Sequence, residues 1–350
     1  MKKILFFFFL PYLSFAQIDS TDIIVKQMME KQKIVGLSLA IIKNGYPVVN
    51  KGYGLANVEL NVPVNSETVI RLGSVSKQFI TTAIMKLMEE GKLDINDGVH
   101  KYFPDAPETW RSITIKNLMT HTSGLQREPP AYDNFKIQPD IDVIRSAYNL
   151  PLVFKTGEKF EYCNTGYFIL AEIIKQVSGM PWQDYIRSEL FIPAGMKNSY
   201  LTDFYQIIPN RANGYMHRND TLINATAMFA IRPSGAFLST STDMLLWDRV
   251  LREKKIILKK ENWELLWKPF IKTSNNPELK AYYGFGWNID ERNGHKVIWH
   301  DGANIGFRSL YARFVNDDLS IIIITNTEEA NPFPLVGALS EYYFRKRVFK

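Results

Sequence analysis

A serine and a lysine three residues apart, at the start of an amphipathic segment, constrain the fold of this chain more than any other feature. Ser74 and Lys77 lie in the stretch 73–79, GSVSKQF, and apolar residues then recur at helical spacing until Gly91. Side chains at positions i and i+3 share one face of a helix, so the lysine amine should lie beside the serine hydroxyl. A free hydroxyl is a poor nucleophile at neutral pH, and such a neighbour activates it. The pattern predicts a half-buried helix with a nucleophile at its N-terminal end.

The order of the other predicted elements indicates a mixed fold. A strand over 35–42, a turn at Asn44-Gly45 and a return strand over 46–53 precede the Ser74 helix. Helical patterns dominate the middle of the chain, and runs typical of strands return after about residue 230. The predicted helices are 114–120, 165–177, 182–190 and a closing 331–347; the later strands are 236–239, 282–289, 296–299, 307–314 and 319–325.

These elements predict an α/β fold of the α+β type, in which an antiparallel sheet is flanked by helices. An all-helical subdomain, at about 116–199, is inserted between two parts of the sheet region, at about 17–115 and 200–350. The whole of 17–350 is expected to form a single domain, since its length suffices for one large core.

The first sixteen residues have the pattern of a secretory signal peptide. Lys2 and Lys3 precede an apolar run over 4–13 and a small-residue site at 14–16. A transmembrane anchor is the alternative, but the run is about half of the roughly 20 residues that a span needs. We expect cleavage before Gln17, a periplasmic or secreted protein, and no stable membrane insertion after cleavage.

Composition argues against several classes of function. The formal net charge is +6, but no basic stripe is present, so a nucleic acid partner is not expected. The C-terminal cations Arg345, Lys346, Arg347 and Lys350 suit a solvated helix end, with contact to an anionic envelope as the alternative. Cys163 is the single cysteine, which rules out an internal disulfide, and the five histidines lack metal-binding spacing. Neither a metal nor another cofactor is expected.

Two further clusters of polar residues could complete a site around Ser74. Tyr162 and Asn164 directly precede the 165–177 helix; a tyrosine can act as a general base where a cation such as Lys77 lowers its pKa. Asn164 can donate to a substrate carbonyl and accept from the lysine. Taken alone, each is equally consistent with a structural role.

The second cluster is His300-Asp301-Gly302-Ala303, which follows the predicted strand 296–299. Gly302 would allow close approach of a substrate backbone. The Ala303 N–H could then meet the Ser74 N–H in an oxyanion hole. A lone histidine at such a position is otherwise a structural residue.

Taken together and in this order, the three clusters resemble those of the penicillin-recognising serine hydrolases. The similarity is strongest to the branch that contains class C β-lactamases, D-alanyl-D-alanine carboxypeptidases, D-aminopeptidases and related esterases. Ser74 and Lys77 match the family's S-x-x-K, Tyr162 and Asn164 its Y-x-N, and His300 and Gly302 its third motif, [KH]-[TS]-G or a looser H-x-G. The stretches 118–125, LMTHTSGL, and 233–240, PSGAFLST, are also similar, and the resemblance spans about 22–346.

Three residues depart from the family pattern. Cys163 replaces a common serine, Ser234 replaces a glycine, and His300 stands where β-lactamases usually have lysine. A histidine near neutral pH is only partly charged, so it suits a substrate carboxylate less well than lysine does. The departure disfavours β-lactam hydrolysis and leaves peptidase, amidase and esterase action open.

The resemblance implies a β-lactamase/transpeptidase-like catalytic domain that works through an acyl-enzyme. Ser74, Lys77 and Tyr162 would be catalytic, with the base work divided between the last two in a way the sequence leaves open. Asn164, His300, Gly302 and Ala303 would bind substrate and the oxyanion. The substrate would be a small molecule or a short peptide. The alternatives are a β-lactamase or penicillin-binding protein acting on β-lactams or cell-wall peptides, and a catalytically vestigial binding protein.

Overall fold

Fourteen strands lie within residues 20–345, which are the residues that the computed structural model describes. The predicted signal peptide and the cations after Arg345 lie outside this range. The strands are β1 Gly36–Lys43, β2 Tyr46–Asn57, β3 Val62–Pro63, β4 Ile70–Arg71, β5 Tyr200–Leu201, β6 Tyr215–Arg218, β7 Thr221–Asn224, β8 Phe237–Ser239, β9 Ile271–Lys272, β10 Ala281–Tyr283, β11 Asn288–Arg292, β12 His295–Asn304, β13 Phe307–Phe314 and β14 Leu319–Thr325.

Nine of these strands form one antiparallel sheet in the order β3-β2-β1-β14-β13-β12-β11-β10-β9. The first and last long strands are neighbours at its centre, with Leu37 opposite Thr325 and Lys43 opposite Leu319. The predicted turn joins β1 to β2, and Asn44 and Gly45 both adopt positive φ there. Small sheets β4-β8-β5 and β6-β7 lie apart from the main one.

Ten α-helices lie in the described part of the chain. They are α1 Ser20–Gln32, α2 Lys77–Glu89, α3 Ile115–Met119, α4 Asp140–Arg145, α5 Thr165–Ser178, α6 Trp182–Ile186, α7 Ile192–Ala194, α8 Ser241–Glu253, α9 Lys260–Leu266 and α10 Pro332–Arg345. A π-helix, Arg187–Phe191, joins α6 to α7. All elements from Gly73 to Ala194 are helical. This agrees with the predicted fold class, an antiparallel sheet with an inserted helical part.

The central strands are buried on both faces, and their alternation divides the core into two layers. On β1, Leu39 and Ile41 belong to a cluster with residues of α1 and α10, while Ala40 and Ile42 belong to the cluster that includes residues of α2, α5 and α8; α8 packs on this face of β1. This follows from the two-residue period of a strand, which sends successive side chains to opposite faces. The Ser74 site lies on the α2 side of the sheet, in the larger layer.

Two local predictions are wrong in detail. The expected strand over 282–289 is a hairpin of β10 and β11, because Gly286 adopts φ +77° and packs against Thr81 of α2. The strand expected over 296–299 continues to Asn304, so the His300 cluster lies within β12 and does not follow it. The predicted helices do not include α1, α4, α7, α8 and α9. Within the described residues, no helix combines the length and apolar character needed to cross a bilayer.

Candidate active site

The Ser74 turn is held between two sheets. A 3-10 turn, Gly73–Ser76, joins β4 to α2, so the predicted helix begins in two steps and Ser74 precedes its first α-helical residue. Ser309 Oγ of β13 donates to the carbonyl of Leu72 at 2.6 Å, and the Phe237 N–H of β8 donates to Ser76 Oγ at 3.1 Å. These bonds fix the turn from both sides and leave Ser74 partly exposed.

Lys77 is completely buried beside Ser74. Its Nζ lies 3.2 Å from Ser74 Oγ, 2.9 Å from Asn164 Oδ1 and 3.1 Å from the carbonyl oxygen of Ser234. Burial, helped by the charge of nearby Arg232, lowers the pKa of Lys77 well below its usual value. The amine is therefore neutral far more readily than an exposed lysine.

The contacts of Lys77 orient that neutral amine. A neutral amine has two N–H groups and one lone pair. The carbonyl oxygens of Asn164 and Ser234 are acceptors only, so they take both N–H groups. The lone pair then faces Ser74 Oγ, where it can receive the hydroxyl proton.

A carboxylate outside the predicted set fixes the amide of Asn164. Glu128 Oε1 accepts from Asn164 Nδ2 at 2.6 Å, which assigns Oδ1 to the lysine. Glu128 also pairs with Arg232, whose guanidinium lies 4.7 Å from the ring centre of Tyr132. The position of Glu128, 36 residues before Asn164, gave no sign of this role; only the loop geometry after α3 brings the two together.

Tyr162 covers the lysine with its ring. Lys77 Nζ lies 4.6 Å from the ring centre, and the Tyr162 hydroxyl and Ser74 share a hydrogen bond. Burial raises the pKa of Tyr162 above its usual value, and the Ser74 contact offsets this only in part. The expectation that Lys77 lowers the pKa of Tyr162 is therefore wrong, because the lysine is itself desolvated and close to neutral. Tyr162 is a protonated phenol in this arrangement.

His300 is buried, with 1% of its surface exposed, and is part of a chain of hydrogen bonds. The Cys163 N–H donates to His121 Nδ1 at 3.0 Å, and His121 Nε2 lies 3.2 Å from Tyr283 Oη. Tyr283 Oη lies 3.0 Å from His300 Nε2, and His300 Nδ1 lies 2.6 Å from the carbonyl oxygen of Asp301. Sequence reasoning missed Tyr283 and placed His121 only within a family-like segment.

The two ends of this chain fix the tautomers. A backbone N–H can only donate, so His121 accepts at Nδ1 and donates from Nε2 to Tyr283. The Tyr283 hydroxyl then donates to His300, which donates from Nδ1 to the Asp301 carbonyl. Burial lowers the pKa of His300 to about 4 and that of His121 well below its usual value. His300 is neutral at pH 7, so the expectation of a partly charged histidine is wrong.

Gly302 and Gly73 bring β12 against the Ser74 turn. A Cβ at Gly302 would lie 2.0 Å from the Leu72 carbonyl oxygen, and a Cβ at Gly73, where φ is +53°, would lie 2.7 Å from Ala303 N. Gly302 thus makes room for the protein's own turn, and not for a substrate backbone as predicted. The same contact places Ala303 next to Ser74, as an oxyanion hole of their two N–H groups requires.

Cys163 lies beneath this site without an opening to it. It is 2% exposed, its Sγ donates to the Gln126 carbonyl at 3.3 Å, and burial raises its pKa to about 11. Such a thiol is unreactive. Within residues 20–345, no group of three or more His, Cys, Asp or Glu side chains is arranged to hold a metal ion.

The sequence model of the Beta-lactamase family matches residues 22–340. The chain belongs to the beta-lactamase family. Among family relatives, Penicillin-binding protein 4* of Bacillus subtilis (strain 168) is 28% identical over an alignment of 328 residues, which covers 86% of this chain and 70% of that protein. The Putative penicillin-binding protein PbpX of the same strain is 33% identical over 251 residues, 71% of this chain and 61% of that one. The chain thus spans well under the full length of these relatives.

Solved structures carry the same fold. The octameric penicillin-binding protein homologue from Pyrococcus abyssi superposes with a TM-score of 0.84 at 27% identity, over 94% of this chain and 78% of that one. The D-amino acid amidase from Ochrobactrum anthropi SV3 has a TM-score of 0.78 at 21% identity, over 92% and 99% of the two chains. The predicted family and fold are confirmed: this chain has the fold of the beta-lactamase-family serine hydrolases.

Proposed function

We propose that this chain is an exported serine hydrolase that forms an acyl-enzyme at Ser74 on an amide or ester bond. The observation that carries the proposal is the desolvated amine of Lys77, 3.2 Å from Ser74 Oγ with its other two contacts filled by acceptors. The signal-peptide pattern of residues 1–16 supports export to the periplasm or the medium. A small molecule or a short peptide is the proposed substrate.

In acylation, Ser74 Oγ attacks the substrate carbonyl carbon while its proton passes to the lone pair of Lys77 Nζ. The carbonyl π electrons move to oxygen, and the N–H groups of Ser74 and Ala303 stabilise the resulting oxyanion. The protonated lysine is costly in its buried site, which favours prompt return of the proton. Acylation ends when the C–N or C–O bond of the substrate breaks.

Tyr162 is the proposed proton donor to the leaving group. Its raised pKa keeps the phenol protonated, and it hydrogen-bonds Ser74 at the point where the leaving group departs. The proton that Lys77 took from Ser74 then returns to the Tyr162 phenolate, so that both groups end acylation in their starting states; the two side chains are neighbours, with Nζ 4.6 Å from the ring centre. In deacylation, water attacks the ester carbonyl and gives one proton to Lys77, which passes it to Ser74 Oγ as the bond between Oγ and the acyl carbon breaks. This assigns the base role to Lys77 and the acid role to Tyr162.

The neutral state of His300 points to the substrate class. Both of its ring nitrogens are engaged by Tyr283 and the Asp301 carbonyl, so it offers no positive charge to a substrate carboxylate. We therefore favour peptidase, amidase or esterase action over β-lactam hydrolysis. The proposed role of His300 is to hold β12 and Tyr283 in position beside the cleft.

The test is the intact mass of the protein after incubation with a fluorophosphonate probe. Wild type should gain one adduct, Ser74→Ala should gain none, and Ser123→Ala, the control at a buried serine beside His121, should label like wild type. Ser74→Ala should also abolish turnover of p-nitrophenyl esters and D-alanyl anilides. A chromogenic cephalosporin measures the β-lactam alternative in parallel. A folded wild type that takes no adduct and turns over none of these contradicts the proposal and favours a catalytically vestigial binding protein.

A further inference from the structure

A cavity of about 320 Å³ lies beyond the end of β12, next to the Ser74 turn. Its floor is formed by the buried residues Arg71, Ala212 and Phe307, and its mouth by exposed side chains that include Asn213 and Thr226. It is large enough for a small ligand. Ile305 also lines it and lies two residues after Ala303, one of the proposed oxyanion donors. None of the proposed chemistry at Ser74 uses it.

The floor carries a buried cation whose donors are largely unused. Arg71 is 6% exposed, and a guanidinium has five N–H donors. Its one hydrogen bond within residues 20–345 runs from Nη2 to the Met228 carbonyl at 3.5 Å, the outer limit of such a bond. The ring of Phe307 lies 5.7 Å from its Cζ. The Nε and Nη1 atoms of Arg71 make no hydrogen bond within the described residues and are not closed off from the cavity that Arg71 lines, so a ligand there can reach them. A buried charge is ordinarily paired, and Arg71 has no such partner among the described residues.

A second arginine increases the positive charge of the same cavity. Arg211 also lines it and is partly buried; its Nη1 donates to the Asp203 carbonyl at 2.8 Å. Among the described residues, neither arginine forms an ion pair within 4 Å; burial lowers the pKa of Arg211, and the charge of Asp203, which lies farther away, raises it by less. Burial and the charge of Arg211 lower the pKa of Arg71 to about 10, which still leaves it charged at neutral pH. Two cations therefore line this cavity, and neither is paired directly with a carboxylate of the described residues.

We propose that the cavity formed by Arg71, Arg211 and Phe307 is a binding site for a small oxyanion, a carboxylate or phosphate group that bridges the two guanidinium groups. Guanidinium groups bind both kinds of anion in a bidentate manner, and burial strengthens such contacts. The amide of Asn213 at the mouth provides a further polar contact for the rest of the ligand. The site is independent of the proposed hydrolysis, because neither arginine contacts Ser74 or Lys77 within the described residues.

The test is calorimetric titration of sodium phosphate and of disodium succinate into the full chain in a dilute bis-tris buffer. Wild type should bind at least one of the two, and the tighter one identifies the source of the oxyanion. Arg211→Gln and Arg71→Met should each weaken that binding at least tenfold, since each removes one charge-assisted contact. Arg249→Gln, at an exposed position of α8, is the matched control and should bind as wild type does.

A second control separates the cavity from the Ser74 cleft. Arg127→Gln removes a cation that lies in the Ser74 cleft, 5.2 Å from the Tyr162 ring centre, and should leave binding within twofold of wild type. If Arg71→Met fails to fold, Arg211→Gln decides alone, because its side chain is only partly buried. The proposal is overturned if wild type binds neither anion, if binding survives substitution of both cavity arginines, or if only Arg127→Gln weakens it.

Discussion

The Ser74 cleft and the Arg71 cavity each contain a buried cationic side chain, and they treat it in opposite ways. In the cleft, Lys77 Nζ has three hydrogen-bond partners, and one of them, Asn164, is in turn held by Glu128. In the cavity, Arg71 makes one long hydrogen bond and is repelled by Arg211. A lysine can lose its proton when it is buried, whereas an arginine stays charged. The cleft therefore produces a neutral base, and the cavity keeps a positive charge in need of an anion.

The largest expected effect is loss of the neutral base. Lys77→Met keeps an unbranched side chain in the buried space but removes the lone pair that receives the Ser74 proton. We expect kcat/KM toward an activated ester to fall by about a thousandfold or more. Lys86→Met, on the same helix, should retain wild-type kcat/KM. A fall of less than tenfold in a folded Lys77→Met protein would mean that another group takes the proton.

The next largest effect on catalysis is expected at Glu128, a carboxylate of the kind that the cleft has and the cavity lacks. Glu128→Gln replaces the charged acceptor of the Asn164 amide with a neutral amide that can also donate, so the Asn164 amide is held less firmly. We expect kcat to fall by about 10- to 100-fold with KM changed much less. The charge of Glu128 raises the pKa of Lys77. Its removal should lower that pKa and move the acid limb of the pH–rate profile to lower pH. Glu108→Gln, at an exposed site, should do neither, and a change confined to KM would count against a positioning role.

The cavity should respond to substitution with a gain in stability. Arg71 ionises with a pKa near 10 in the folded protein against about 12.5 in the unfolded chain, so its charged form opposes folding below pH 10. In an anion-free buffer, Arg71→Met should raise the free energy of unfolding by roughly 1–3 kcal/mol. Urea denaturation measures this without adding ions, with Arg249→Met as the control. A loss of stability would show that Arg71 is already satisfied.

The last expected effect is on stability and comes from His300, a buried base that is neutral like Lys77 but takes no part in the proposed chemistry. Its pKa is about 4 when folded and about 6.5 when unfolded, so the unfolded state binds more protons between these values. Stability is complete above pH 6.5 and falls as the pH drops toward 4, by on the order of 2 kcal/mol at pH 5. Denaturation of His300→Gln should show a smaller loss between pH 7.5 and 5, whereas His217→Gln should match wild type.

Local chemistry made much of the fold predictable. Thr114 forms the predicted cap of α3, through a capping box with Asn117, and Gly179 ends α5 in the left-handed conformation. The β13 and β14 strands have the predicted bounds. Helix α8 has local signals of its own. The Thr240 side chain accepts from the Asp243 N–H at the start of the helix, and the apolar residues of the helix recur at helical spacing. The signal was in the sequence, but polar residues at the start of the helix obscured it.

The candidate site was predictable in its members and not in their charges. Ser74, Lys77, Tyr162, Asn164 and the His300 cluster do come together, as their order in family-like segments indicated. The pKa directions of Lys77, Tyr162 and His300 depend on burial and on partners from distant segments. No spacing pattern encodes those contacts. Their roles in catalysis remain predictions that the proposed variants test.

The pairing of β1 with β14 sets the order in which this protein can be completed during synthesis. The β1–β2 hairpin leaves the ribosome early, with apolar residues on both faces and one edge open. Its partner at that edge is encoded nearly three hundred residues later and emerges correspondingly late. Until then, the nascent chain presents an unpaired apolar strand of the kind that associates with other chains. A chain halted before Leu319 should therefore depend on chaperones to stay soluble, whereas the full-length protein covers that edge itself.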